Sequence, residues 1–249
     1  MSPLFAHSEA NGLIQVESWH AKTWLVHGFT TREAGDFATL DTAHGAVKSW
    51  GKAWGKAWGA GELTLEFVRQ THSDRIHISE GASAQGADLP EADGILTRSQ
   101  GSLISVRTAD CLPLLFVDET RRALAAVHAG WRGTAQQITQ RAVERMRDEF
   151  GSRPQDLEVA IGPGIGVCCY EVGPDVAEQF PASSIQHKQR THLDLAAENR
   201  RQLIESGVAP EQVQSAALCT CCRSDLFHSH RRDGASAGRM IAVIGALRT

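Results

Sequence analysis

A chain of 249 residues, 42% hydrophobic and 22% charged, holds enough apolar side chain for a sizeable core, which excludes a disordered or low-complexity polymer. The formal net charge is -4, and pairs such as Arg121-Arg122, Arg200-Arg201 and Arg231-Arg232 are too short to form a basic stripe, so a nucleic-acid partner is not expected. No apolar run has the length of a membrane span, and Met1-Ser2-Pro3-Leu4-Phe5 carries neither a basic nor an apolar leader region; a cytoplasmic protein with mostly reduced thiols is the expectation.

Leu13 to Val26 reads as one or two short strands ending at His27-Gly28, and residues 28–46 read as a loop containing Arg32. A tandem repeat follows, Gly51-Lys52-Ala53-Trp54 and Gly55-Lys56-Ala57-Trp58. With Trp50 it places tryptophans at i, i+4 and i+8 of one helical face, which fits an apolar stripe buried in the core better than an aromatic binding wall. Leu63 to Val68 alternates with period two and reads as a strand delivering Gln70-Thr71-His72, and residues 79–94 read as loop. Leu103 to Val106 is a strand leading into Asp110-Cys111, and Pro113 to Val117 and Ala123 to Val127 are strands, the latter ending at His128. A helix capped near Thr134 stops at Gly151 and Pro154, and a strand over Leu157 to Ile161 runs into Gly162-Pro163-Gly164-Ile165-Gly166. A helix over 195–206 ends at Gly207, and Ser215 to Leu218 and Met240 to Ile244 are the last strands. The mixture predicts one α/β domain over residues 1–249, with mixed sheets and no linker.

His72, Cys111 and His128 each fall at or just past a predicted strand end, where rigid scaffolds display functional groups. One thiolate and two imidazoles form a ligand set for catalytic zinc with one open position, and they suit such an ion better than magnesium or calcium. An open position lets the ion bring the pKa of a water to about 7. On spacing alone, the same residues also read as a buried thiol and two satisfied histidines.

The His128-Ala129-Gly130-Trp131-Arg132-Gly133 segment reads either as a phosphate-binding turn, with Arg132, Arg107 and Arg32 supplying charge, or as a tight strand-to-helix turn. Gly162 to Gly166 lacks the glycine spacing of dinucleotide sites and reads as a turn of close backbone approach. Cys168-Cys169 and Cys219-Thr220-Cys221-Cys222 contain one CxxC spacing without a second, so buried thiols are expected rather than structural zinc. His7-Ser8-Glu9 matches the HxE of zinc nucleobase deaminases, but the Pro-Cys-x-x-Cys partner is missing. The polar patch from Asp225 to Gly234 suits either a substrate anion or a salt-bridged loop, and its single HxH is too little for a multicopper array.

Taken together, Arg69-Gln70-Thr71-His72, Ala92-Asp93-Gly94, Thr108-Ala109-Asp110-Cys111-Leu112-Pro113, His128 to Gly133, Ile161-Gly162-Pro163, Cys169-Tyr170-Glu171-Val172-Gly173 and Phe227 to Gly234 resemble the YfiH-type laccase-domain family, from about His27 to near the C-terminus. The resemblance implies a four-layer α/β/β/α fold and zinc at His72, Cys111 and His128, with copper less favoured. Members of that family are described as purine nucleoside phosphorylases with adenosine deaminase activity, as polyphenol oxidases and as peptidoglycan-editing factors. The leading expectation is a nucleoside enzyme that binds phosphate near Arg132, Arg107 or Arg32. A metal-free amide hydrolase with Cys111 as nucleophile and His128 or His72 as base is the second. A non-enzymatic metal- or partner-binding module is the third. Two departures stand out: the family's glycine-rich stretch is shortened to Glu33-Ala34-Gly35-Asp36-Phe37, and a cysteine common in its Ile-Gly-Pro segment is Gly164 here.

Overall fold

The computed structural model describes residues 4–8, 12–39, 52–56, 58–59, 63–81, 89–187 and 190–248. The strands are β1 (Phe5–Ser8), β2 (Leu13–Val16), β3 (Leu25–Thr30), β4 (Thr64–Glu66), β5 (Ile76–Ser79), β6 (Gly94–Thr97), β7 (Ser102–Thr108), β8 (Leu112–Asp118), β9 (Ala123–Ala129), β10 (Leu157–Ile161), β11 (Ile185–His187), β12 (Thr191–Leu193), β13 (Val213–Ser215) and β14 (Met240–Ala246). The helices are α1 (Trp131–Ala135), α2 (Ile138–Phe150), α3 (Pro174–Ala177), α4 (Leu195–Glu205) and α5 (His230–Asp233). Among the described residues, two mixed six-stranded sheets form, ordered β1-β2-β3-β14-β7-β4 and β13-β10-β8-β9-β6-β5, and β11 pairs with β12.

Side-chain alternation shows how the sheets stack. On β14, Ala242 and Ile244 face an inter-sheet core, while Ile241 and Val243 face the opposite side. On β8, Leu115 and Val117 enter that same inter-sheet core, whereas Leu114 and Phe116 pack toward α2 and α4. Strands covered on both faces are apolar throughout, so these runs carry little alternation to read. The outer face of the first sheet is closed by Trp54, in a short helical stretch over 52–56, together with Phe37 and Trp58. The layers are therefore helix, sheet, sheet, helix, the mixed α/β architecture that the resemblance implies.

The tryptophan stripe is core: Trp54 is buried, with its ring centroid 6.1 Å from Phe37 and 6.0 Å from Trp58. Trp50, Gly51 and Ala57 lie outside the described residues. Several expectations need correction. The one or two strands read from Leu13 to Val26 are two, separated by a 3-10 turn over Glu17–Ala21, but the second continues past His27-Gly28 to Thr30. The expected 79–94 loop contains the end of β5 and the start of β6; at four residues each, these strands are too short for periodicity to reveal them. Thr134 does not cap a helix, because α1 starts at Trp131 with Gly130 as its N-cap. Thr134 is buried inside α1, where its hydroxyl accepts from Asn199 Nδ2 at 3.0 Å, and the left-handed Gln137 separates α1 from α2. The last two strands run over Val213–Ser215 and Met240–Ala246 instead. The predicted stops hold: Gly151 closes α2 in the left-handed region at φ 69°, and Gly207 follows α4 at φ 93°. Among the described residues, no helix is long and apolar enough to cross a membrane.

Candidate metal centre and its cavity

Strand register brings the predicted ligands together. In the antiparallel β8–β9 pair, Leu112 faces Ala129 and Pro113 faces His128, so Cys111, one residue before β8, emerges beside the end of β9. Its neighbour β6 pairs Gly94 with Val127, and the His128 N–H donates to the Asp93 carbonyl at 2.7 Å. His72 arrives from the loop between β4 and β5. Cys111 Sγ and His72 Nε2 lie 3.9 Å apart, and the His72 and His128 rings meet edge-on at 4.9 Å. The three donor atoms fall within 4.8 Å of one another, with His128 buried, Cys111 half-buried and His72 exposed.

A carboxylate organises this cluster. Asp93 is fully buried. Its Oδ1 contacts His128 Nδ1 at 2.9 Å and accepts from the His72 N–H at 3.0 Å. Its Oδ2 accepts from the Thr71 N–H, the Ser73 N–H and the Ser73 hydroxyl at 3.1, 2.6 and 2.7 Å. With Asp93 as acceptor for Nδ1–H, the Nε2 of His128 is left to face the cluster. The same bonds hold His72 at φ 59°, a conformation that costs a non-glycine residue free energy, so the carboxylate offsets strain beside a candidate ligand.

Charge preference follows from these contacts. Burial works against the Cys111 thiolate, yet His128 and His72 pull its pKa down to about 6. Burial also opposes charge on His128, but the Cys111 thiolate and Asp93 raise its pKa to about 9. Burial opposes the Asp93 carboxylate too, and the hydrogen bonds from His128 and Ser73 outweigh it, holding the pKa near about 2. A seat that favours a thiolate and a buried cation is electrostatically matched to a divalent metal, which replaces the proton on its ligands.

Gly130 leaves room for the ligands. A Cβ there would lie 2.9 Å from Cys111 Sγ and 3.1 Å from His72 Cδ2, although the backbone φ of -77° suits any residue. Gly130→Ala is therefore expected to displace both side chains without backbone strain. We expect zinc affinity, read by chelator competition, to fall on the order of tenfold; wild-type affinity in this variant would show that the close approach does not matter.

The cluster opens into a cavity of about 600 Å³ between corresponding ends of the two sheets, lined by His72, Cys111 and His128 together with Arg107, Tyr170, Arg231 and Arg239. Arg107 belongs to β7, and its backbone is clasped by the Gln70 side-chain amide, which donates to the Arg107 carbonyl and accepts from its N–H, both at 2.8 Å. Arg32 and Arg132 are not in the lining. Arg32 donates through Nη1 to the Ser224 carbonyl at 2.7 Å, and Arg132 lies over the Trp131 ring at 4.2 Å. The patch from Asp225 to Gly234 has two roles. His230 and Arg231 line the cavity, while Arg232 pairs with Asp233 at 2.7 Å. Burial, together with the Cys111 charge, pushes the Tyr170 phenol well above its ordinary range, which keeps it a neutral hydrogen-bond donor.

Residue-type reasoning did not single out Gln70, Asp93, Asp110, Gly130 or Thr220. Asp110, held at φ 89°, accepts from the Thr220 hydroxyl at 2.6 Å and from the Arg231 N–H at 2.6 Å. The available signal was adjacency, because all except Thr220 lie within the motif segments that carry the family resemblance. The glycine turn behaves as expected: a Cβ on Gly162 would sit 2.3 Å from the Phe29 ring, and one on Gly164 would sit 2.4 Å from Leu112 Cδ2. The expectation of buried thiols among the other cysteines does not hold, since Cys168 and Cys222 are exposed.

The family described as multi-copper polyphenol oxidoreductase laccase matches residues 27–247. A purine nucleoside phosphorylase of Deinococcus radiodurans is 38% identical over 228 residues, covering 88% of each chain. Adenosine deaminase RL5, from an unknown prokaryotic organism, is 35% identical over 195 residues, covering 72% of this chain and 74% of its own. The crystal structure of the hypothetical protein YfiH of Bacillus licheniformis superposes with a TM-score of 0.85 at 31% identity, covering 100% of both chains. With the match spanning nearly the whole chain and a solved relative sharing the same layered architecture, this protein belongs to the laccase-domain family of YfiH.

Proposed function

We propose that the chain is a zinc-dependent purine nucleoside phosphorylase that also deaminates adenosine. The observation that carries this reading is the convergence of His72, Cys111 and His128 in one wall of a cavity that also displays Arg107, Arg231 and Arg239. Relatives named purine nucleoside phosphorylase and adenosine deaminase support it. The donor set fits zinc: His72, Cys111 and His128 would hold it, and three protein ligands of this kind are the set of catalytic rather than structural zinc. When bound, such an ion supplies Lewis acidity and brings the pKa of a water near neutrality.

In phosphorolysis, Arg107, Arg231 and Arg239 orient inorganic phosphate, since guanidinium groups match phosphate oxygens in geometry and charge. A phosphate oxygen bonds to ribose C1′ as the bond from C1′ to the purine breaks. The bonding pair leaves with the base, which takes up a proton, and ribose 1-phosphate is the other product. The proton comes from water, and Tyr170, which lines the same cavity and stays neutral, would offer the base a hydrogen bond. In deamination, water adds at C6 of adenosine and ammonia leaves, giving inosine. The test is phosphate-dependent release of base from inosine and adenosine by zinc-loaded protein, with ammonia measured in parallel. An absence of turnover, with Cys111→Ala indistinguishable from wild type, would sink the reading.

One observation favours a second reading. The low thiol pKa of Cys111 beside His128 is also the signature of a nucleophilic thiolate–imidazolium pair, as in an amide hydrolase such as one editing peptidoglycan precursors. Chelation separates the two readings: activity that survives metal removal and is lost on alkylation of Cys111 supports the thiolate enzyme.

A further inference from the structure

A second ligand cluster lies apart from these three residues. β10 and β13 are parallel neighbours, with Ile161 facing Ser215, so the chain leaves both strands at the same end of the sheet. The loop after β10 carries Cys168 and Cys169, and the loop after β13 carries Cys219 and Cys222. A parallel bridge between Gly164 and Cys219 extends the pairing into the loops. The four sulfurs fall within 4.8 Å of one another, with Cys222 Sγ at 3.6 Å from Cys168 Sγ and 3.3 Å from Cys169 Sγ.

We propose that Cys168, Cys169, Cys219 and Cys222 bind a structural zinc ion that ties these two loops together. Tetrahedral zinc with four bonds of about 2.3 Å spaces its sulfurs at roughly 3.8 Å, close to the separations seen. An iron–sulfur cluster would spread its thiolates around a multi-atom core and needs a wider cage. The Gly166 N–H donates to Cys219 Sγ at 3.2 Å, a bond that stabilises a thiolate. A Cβ on Gly166 would sit 3.2 Å from Cys168 Sγ, so a larger residue would crowd the cage. Four thiolates on one divalent ion leave a net negative charge, and two guanidinium groups stand close: Arg231 donates to the Cys169 carbonyl at 3.3 Å, and Arg232 donates to the Thr220 and Cys221 carbonyls at 3.0 and 3.2 Å. With all four positions filled by protein, the ion has no site for substrate.

Its role follows from what the two loops hold. Tyr170, directly after Cys169, lines the cavity, and the Arg231 guanidinium lies over its ring at 5.4 Å. Thr220, between the other two ligands, holds Asp110 next to Cys111. The zinc therefore braces one cavity wall and the approach to the other centre.

The experiment is elemental analysis of full-length protein purified without chelator, alongside Cys111→Ala and the double variant Cys219→Ser/Cys222→Ser. Wild type is expected to hold about two zinc ions per chain and each variant about one. Titration of wild-type thiols with a mercurial, followed with a zinc-sensitive dye, covers the case in which the double variant does not fold. It is expected to release about two zinc equivalents from wild type and about one from Cys111→Ala. A wild-type content of about one ion that Cys111→Ala abolishes would overturn the proposal. So would an unreduced mass showing disulfides among these cysteines in place of the second ion.

Discussion

Cys111→Ala is expected to remove zinc from the His72–Cys111–His128 centre and to lower phosphate-dependent base release on the order of a thousandfold, as removal of the principal electrostatic stabiliser of a reaction does. The thiolate is the one anionic donor in the set, and two imidazoles alone hold zinc weakly. A second consequence needs no metal. The Cys111 charge contributes to the rise of the His128 pKa to about 9, so in the metal-free variant that pKa should fall, as read by an NMR titration of the ring. Both outcomes follow from one contact, and zinc content and turnover matching wild type would show that Cys111 is not a ligand.

Asp93→Asn should have the next largest effect although Asp93 is not among the three donors. The carboxylate accepts from five donors: the backbone of Thr71, His72 and Ser73, the Ser73 hydroxyl and the His128 ring. An amide can turn only one oxygen toward them, and its NH₂ would face N–H groups. We expect zinc affinity to fall roughly 10- to 100-fold, the usual effect of losing the carboxylate behind a metal-bound histidine. Stability should change with a defined pH dependence. The Asp93 pKa is depressed in the folded state to about 2, so its contribution is present above the unfolded carboxylate value and is lost as pH falls through about 2. Its ionisation stabilises the metal-free fold by about 2 kcal/mol at neutral pH. Urea unfolding of metal-free wild type and variant should therefore differ at neutral pH and converge only as pH falls through about 2. A constant difference across that range would assign the loss to packing instead of charge.

Much of the fold is legible along the chain. β8, β9 and β10 are read to within a residue or two because each is an apolar run bounded by polar or turn residues, and the α2 and α4 stops are read from glycines that occupy left-handed positions. β5 and β6 are not legible, since four-residue strands beside a Gly- and Ala-rich stretch carry no periodic signal. Thr134 misled for a definite reason: its hydroxyl does satisfy a donor, but that donor is Asn199 on α4, 65 residues away, not the start of its own helix.

The sequence by itself placed one thiol and two imidazoles at the ends of period-two or continuous apolar runs, and the family-like segments around them, not their spacing, singled them out as a candidate donor set. It also determined that the glycines of the 162–166 turn permit close approach, since only a missing Cβ allows it. Tertiary structure alone decided which cation faces the cavity, bringing Arg107 into the lining through its place on β7 and leaving Arg32 and Arg132 outside it. It alone brought Asp93 to His128 across 35 residues and Cys169 to Cys222 across 53. The physical reason is common to both. Strand register and crossover are set by burial on two faces of each sheet, a constraint that acts between distant segments and leaves no local pattern in the residues it brings together.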